Sequence, residues 1–242
     1  MISKSQIKLI KSLNQKKFRF IHRLFFAEGV KTINELLLSN FKLNHLYSST
    51  LDFNVSDDLL TIISANELHK ISALKNPNKA LAIFEMPKEQ HLDFERLIVA
   101  LDNIRDPGNL GTIIRLCDWF GVKDLICSNE TVDCYNPKVV QASMGSLTRI
   151  SIQYIALENY LQETNLPTFI ADMNGENVYK STLPKEAILV MGNEANGVSD
   201  EIRALIKNKI SIPRFGETQE TESLNVATAT AILLSEFKRS IQ

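Results

Sequence analysis

Ile212-Pro-Arg-Phe-Gly-Glu-Thr-Gln-Glu-Thr-Glu-Ser223-Leu-Asn225-Val-Ala227 is the stretch on which the fold of this chain turns. Pro213 and Gly216 mark a turn after a short apolar strand, Lys209–Ile212. A long polar loop follows. Ser223 is then placed to cap a helix over 223–239 whose opening, Ala227-Thr-Ala-Thr-Ala231, carries only small side chains. Such residues let backbones approach closely, and they also simply favour helix. Two earlier polar loops, Asp102–Gly111 and Gly192–Gly197, follow apolar strands at Arg96–Asp102 and Ala187–Met191. These runs lack alternation, as expected of strands covered on both faces. In parallel sheets ligands bind beyond the carboxyl ends of the strands, so the three loops are expected to meet at one site.

Outward from these loops, strands alternate with helices. Asn109 is placed to cap a helix to Phe120, closed by Gly121, with an apolar stripe at Leu110, Ile113, Ile114, Cys117 and Phe120. Strands are expected at Asp124–Cys127, Ile150–Ile155 and Thr168–Ala171, and helices at Pro137–Met144 and from Ser199 to Ile206. Toward the N-terminus the pattern gives a helix at Ser5–Leu13, a strand at Phe25–Gly29 and a helix at Val30–Leu38. Strands at His45–Ser48, Leu60–Ser64 and Ala80–Phe84 enclose a helix at Asn66–Ala73 with Ser64 or Asn66 as its cap. The fold class is therefore α/β: a small domain over residues 1–88 and a parallel-sheet domain over 94–242, joined by a polar linker around Pro87.

The chain has 242 residues, 44% of them hydrophobic, enough for a sizeable core. No apolar run approaches a membrane span, and the N-terminus lacks a basic-then-apolar leader pattern, so a cytoplasmic protein is expected. Cys117, Cys127 and Cys134 have no paired spacing and read as small buried hydrophobes. All four histidines precede residue 92, so chemistry in the later part cannot use a His triad or a His-type zinc site, and no metal is expected. Net charge is −1, but unevenly spread. Residues 1–90 hold 13 Lys/Arg against 8 Asp/Glu, and the first 23 residues hold seven Lys/Arg and no acid. A basic first part suits a polyanion such as RNA, or is simply a solvated basic helix.

The loops are not familiar phosphate binders. Gly108 and Gly111 do not make a dinucleotide fingerprint, and Gly192 to Gly197 has the Walker spacing but Val198-Ser199 where Lys-Ser/Thr belongs. Gly108-Asn-Leu-Gly111 matches the KH-type GxxG only superficially, since it follows a strand. Arg115 lies off the apolar stripe of its helix, so it is either a solvated side chain or a cation held near the loop for phosphate.

Taken in order, these stretches resemble the SpoU/TrmH-like RNA ribose 2′-O-methyltransferases of the SPOUT class. The first motif is Leu101-Asp-Asn, Asp106-Pro-Gly-Asn109-Leu-Gly, Arg115 and Phe120-Gly121. The second is Met191-Gly-Asn-Glu194 with Gly197, and the third is Ile212-Pro213 with Ser223-Leu-Asn225-Val. Asn136-Pro-Lys and Ala142-Ser-Met-Gly145 match between them, although Gln141 stands where the family often has Arg. Phe25-Phe-Ala-Glu-Gly29 and Asn66–Ser72 look like the family's L30e-like RNA-binding domain.

The resemblance implies a deep trefoil knot in the second domain, S-adenosylmethionine as cofactor, an antiparallel homodimer, and methyl transfer to a ribose 2′-hydroxyl of rRNA or tRNA, with rRNA favoured. By position it implies Arg115, Asn109 and Glu194 as catalytic residues. It implies Met191, Gly192, Asn193, Gly197, Ile212, Ser223, Leu224 and Asn225 as the cofactor wall. The loop from Pro213 to Ser223 adds Glu217, Glu220 and Glu222 to a surface expected to meet RNA. The alternative reading is a non-catalytic RNA-binding protein with the same fold.

Overall fold

The computed structural model describes residues 2–87, 96–193, 195–216 and 223–239. By contacts the chain divides into two units, Met1–Lys88 with Asp133–Thr148, and Glu89–Val132 with Arg149–Gln242.

The first unit is built on a four-stranded sheet of β1 (Leu24–Glu28), β2 (Leu43–Ser48), β3 (Leu60–Ile62) and β4 (Ala80–Glu85), in the order β1-β4-β2-β3. β4 is antiparallel to both β1 and β2, and β3 runs parallel to β2. Helices α1 (Lys4–Ser12) and α4 (Ala65–Ile71) begin with capping boxes, Ser3 with Gln6 and Ser64 with Glu67. The second of these decides the cap of α4 for Ser64 rather than Asn66. Ile10, Leu13, Leu68 and Ile71 pack with Phe26, Leu81 and Ile83 of the sheet in one core. Helix α3 (Val30–Leu37) lies where its periodicity places it.

A further helix, α2 (Lys16–His22), is not expected from the sequence Lys-Lys-Phe-Arg-Phe-Ile-His, which has no apolar stripe. Its buried residue is Arg19, 1% exposed. Arg19 Nε and Nη2 both donate to Asp133 Oδ2, at 2.9 and 2.5 Å, and Nη1 donates to the Leu13 carbonyl at 2.7 Å. A charge so deeply buried is tolerated because every nitrogen of the guanidinium meets an acceptor. This ion pair, with the Phe25 and Tyr135 rings 4.9 Å apart, fastens residues 133–148 into the first unit. The segment lies within the sequence range 94–242 expected for the second domain. Its helix α6 (Pro137–Ser143) instead packs against β1, because Val139 and Val140 are buried there while Asp133 needs Arg19.

The second unit has six strands: β5 (Leu97–Leu101), β6 (Asp124–Ser128), β7 (Ser151–Ile155), β8 (Thr168–Asn177), β9 (Ala187–Met191) and β10 (Asn208–Ser211). They form a wholly parallel sheet in the order β10-β8-β9-β5-β6-β7. Every residue of β5, β6 and β9 is buried, the pattern that their unbroken apolar runs imply. Side chains alternate between two faces. Ile98, Ala100, Ile126, Ile188 and Val190 meet α7 (Leu157–Glu163) and α8 (Asp200–Leu205) through Leu157, Leu161 and Ile202. α5 (Pro107–Trp119) and α9 (Val226–Arg239) pack together, and Phe237 of α9 meets Phe169 of β8 edge to face at 5.6 Å.

The chain leaves β9 toward α8 and the edge strand β10. α9, which follows β10 in sequence, packs on α5, although β8 and β9 lie between β10 and β5 in the sheet. Among the described residues no helix is long and apolar enough to cross a membrane.

Candidate active site

The loop after β5 is the hub of the carboxyl edge of the second unit. Asp102, 5% exposed, closes the strand: its N–H donates to the Met191 carbonyl at 2.9 Å. Its carboxylate Oδ2 accepts from the Ser199 N–H at 2.7 Å, at the entrance to α8. Asn103 then turns the chain with a left-handed φ of 59°, a conformation Asn tolerates better than most residues. Two hydroxyls, one at the end of β6 and one in the loop after it, hold this turn. Ser128 Oγ accepts from the Asn103 N–H at 2.9 Å, and Thr131 Oγ1 accepts from the Ile104 N–H at 3.3 Å. The turn is thus tied to β5, β6 and β9 together.

α5 opens at Asp106, not at Asn109 as its sequence suggests. Asp106 accepts from the Asn109 N–H at 2.8 Å, and Pro107 takes the first helical position, where its missing N–H costs nothing. Asn109 is therefore inside the first turn, with its side chain available. Its Oδ1 accepts from Asn225 Nδ2 at 2.9 Å. Asn225 in turn is the cap of α9: its Oδ1 accepts from the N–H groups of Ala227 at 3.0 Å and Thr228 at 3.2 Å. The expected cap, Ser223, lies two residues upstream, and the helix runs Val226–Arg239 rather than from 223. Asn prevails because its amide caps one helix and donates to the other at once.

The loop after β9 is a tight reversal. Asn193 and Gly197 exchange two backbone hydrogen bonds, each of 2.8 Å, and Gly197 has a φ of +70°. At Gly192 a Cβ would collide with the backbone of Gly197 and Val198, so only glycine fits. Asn193 Nδ2 donates to the Asn103 carbonyl at 2.7 Å, joining this loop to the first one.

The sequence-expected residues fall as follows. Asn109, Asn193, Gly192, Gly197 and Asn225 belong to the connected network just described. Met191 is buried at the end of β9. Ile212 is half-buried, and Ser223, Leu224 and Asn225 are exposed at the start of α9, Leu224 by 48%. Arg115 is exposed on α5, two turns beyond its cap. Glu194 lies outside the described residues, as do Glu217, Glu220 and Glu222. Sequence reading missed Ser128 and Thr131 as site-building residues and gave Asp102 only as part of the first motif. The available signal was a buried strand ending in Asp, and a Ser-x-x-Thr at the end of the neighbouring strand. It also missed the cap at Asp106, which Asp-Pro-Gly could have shown.

A purine-bearing ligand needs apolar contacts for its ring and polar groups at its edges. Ile212 is half-buried and Leu224 is exposed, apolar side chains among polar loop residues, and the backbone at Gly192 is cramped. Among the described residues no cluster of His, Cys, Asp or Glu could hold a metal ion. The three cysteines are buried, and burial pushes the Cys117 thiol up to about 12, which leaves it inert.

Known proteins match both units of the chain. Residues 96–235 match the SpoU rRNA Methylase family, and residues 4–82 match the MRM3-like substrate binding domain. The chain is 28% identical over 247 residues to 23S rRNA (guanosine(2553)-2′-O)-methyltransferase RlmP of Bacillus subtilis, covering 95% of this chain and 94% of that one. A solved TrmH-family structure from Porphyromonas gingivalis is 35% identical, with a TM-score of 0.89 and 99% of each chain covered. The AdoMet-bound rRNA methyltransferase of Sinorhizobium meliloti is 30% identical, with a TM-score of 0.86 over 100% of this chain and 98% of that one.

Proposed function

The chain belongs to the SpoU rRNA methylase family, and from that premise we propose that it transfers a methyl group from S-adenosylmethionine to a ribose 2′-hydroxyl of rRNA. The observation that carries the reading is the linkage of the three motif loops, through Asn193 to the Asn103 carbonyl and Asn225 to Asn109. A methyltransferase needs donor and acceptor held in one geometry, and fixed alignment can contribute roughly 7–11 kcal/mol in ideal cases. A network of backbone and amide bonds rooted in β5 and β9 supplies such rigidity.

S-adenosylmethionine, when bound, supplies a methyl group already activated by its sulfonium. The residues Met191, Gly192, Asn193, Gly197, Ile212, Ser223, Leu224 and Asn225 are proposed to hold it. Arg115 is proposed as the catalytic cation. A guanidinium stays protonated, so it serves best by gripping an RNA phosphate and stabilising the forming 2′-alkoxide. Helix side chains lean toward the N-terminus, which inclines Arg115 toward the loop at Asp106–Asn109. Asn109 orients this end of α5 through Asn225, and Glu194, which lies outside the described residues, is proposed as the third catalytic residue.

The first unit, residues 1–88 by sequence, is proposed to bind the RNA. Its support is the excess of Lys and Arg in residues 1–90 and the match of residues 4–82 to a substrate binding domain. rRNA rather than tRNA is favoured by the names of the relatives. A homodimer through the second unit is supported by Trp119, an aromatic of α5 left 84% exposed. The cytoplasm is proposed as the place of action, in keeping with three cysteines that have no paired spacing.

The test is Arg115→Ala in the full chain, with rRNA as acceptor. Methyl transfer should fall by two orders of magnitude or more, about 3 kcal/mol, while S-adenosylmethionine affinity stays within a few-fold. Parallel loss of both would refute the role, and absence of 2′-O-methyl product from the wild type would refute the function.

A further inference from the structure

We propose that the exposed face of α2, centred on Phe20, is a platform on which an unpaired base of the RNA stacks, with Lys16 and Lys17 neutralising phosphates beside it. The inference rests on the RNA-modifying reading above and adds where, and by what chemistry, the RNA is held. Most helices exist because they bury an apolar stripe. α2 does not: it is fastened by buried Arg19 on Asp133, with Phe18 half-buried and Phe20 and Ile21 left outside. Phe20 is 45% exposed and Ile21 60% exposed. The aromatic side chains of α2 are also ordered. The Lys16 ammonium lies 5.7 Å from the centroid of the Phe20 ring, and the Phe18 and His22 rings stack at 6.4 Å with planes 18° apart. Lys–aromatic pairs one turn apart hold a ring in place on a helix surface.

Charge selects the occupant. No acidic residue precedes Glu28, and Glu28 is buried, bonded to Ser72 and the Ala73 N–H. Asp133, the acid against α2, is consumed by Arg19. Within α2 itself basic side chains interleave with aromatics and no acid, a pattern that suits single-stranded RNA: cations meet the backbone and rings meet the bases.

The chain has one tryptophan, Trp119, which permits a direct spectroscopic test. In full-length protein carrying Trp119→Phe and Phe20→Trp, single-stranded oligoadenylate should quench the fluorescence of residue 20, whereas heparin, a polyanion without bases, should not. Phe20→Ala and Phe20→Leu should each weaken oligoadenylate binding by about tenfold, with thermal midpoint and S-adenosylmethionine affinity unchanged. Equal quenching by heparin, or wild-type RNA affinity in both Phe20 variants, overturns the platform. So does a change of oligomeric state in Phe20→Ala without change in RNA affinity, since the face would then belong to a protein contact. If the wild type transfers methyl groups while the Phe20 variants bind RNA normally, the platform alone fails. If the wild type neither binds RNA nor transfers, the proposed function fails with it.

Discussion

Asn225 Nδ2 donates to Asn109 Oδ1 at 2.9 Å while Asn225 Oδ1 caps α9. One side-chain amide thereby joins the N-termini of α5 and α9, whose residues lie more than a hundred positions apart. The two halves of this amide can be separated. Asn225→Asp keeps the capping oxygen and should leave stability within about 0.5 kcal/mol, whereas Asn225→Ala should lose about 0.5–2 kcal/mol. Both lack the N–H that reaches Asn109, so both should lose methyl transfer to a similar extent. Urea unfolding beside single-turnover transfer would check this, and an active Asn225→Asp protein would remove Asn109 from the mechanism.

Gly192 should tolerate no side chain. In Gly192→Ala the new Cβ meets the backbone of Gly197 and Val198, which cannot yield without breaking the Asn193–Gly197 pair. Overpacking of this kind costs about 1–3 kcal/mol. Calorimetric unfolding should show that loss, and titration with S-adenosylmethionine should show a much weakened affinity. Gly216→Ala, where a Cβ meets nothing within 4 Å, is the matched control.

The Arg19–Asp133 pair should behave as a buried charge pair. Removing one partner by Arg19→Met strands Asp133, which is 3% exposed, and should cost about 3–5 kcal/mol. Arg19→Met with Asp133→Leu should recover much of it, because no charge is then left buried. Urea midpoints of the two variants give the comparison. The same pair warns against dissecting the chain by cutting at residue 88, since such a piece would carry Asp133 without Arg19.

His45 makes the first unit acid-sensitive. Burial holds its pKa below the ordinary value of 6.5, with Asp58 opposing the shift, and its Nε2 meets Thr61 Oγ1 at 2.8 Å between β2 and β3. The folded state therefore binds fewer protons at this site than the unfolded chain does. Stability from His45 is present above pH 6.5 and is lost as pH falls through the depressed folded value. His45→Gln, which can still bond Thr61, should show a smaller fall in urea midpoint than the wild type between about pH 7.5 and about pH 5.5.

Much of this was legible residue by residue. The apolar runs at 96–102 and 187–191 read as doubly covered strands, and the strands found there, Leu97–Leu101 and Ala187–Met191, are wholly buried. Ser64 was one of two candidate caps for α4, and its capping box with Glu67 decides between them. What misled was rank among polar candidates. Ser223 and Asn109 are both good cap types, yet the caps are Asn225 and Asp106, because a cap is chosen by where the chain can place an acceptor and not by residue type alone. Helix α2 was invisible for a related reason. Its one buried side chain is an arginine, and its partner lies 114 residues away.

Sequence alone determined the parallel α/β architecture, the three motif loops and the basic character of the first ninety residues, because periodicity, turn residues and charge are local quantities. Only the tertiary structure decided that residues 133–148 join the first unit, and that one asparagine caps α9 while holding α5. These depend on which distant donors and acceptors are buried together. An unpaired polar group in a low-dielectric interior costs too much to leave, so the chain settles where Arg19 finds Asp133 and Asn225 finds Asn109.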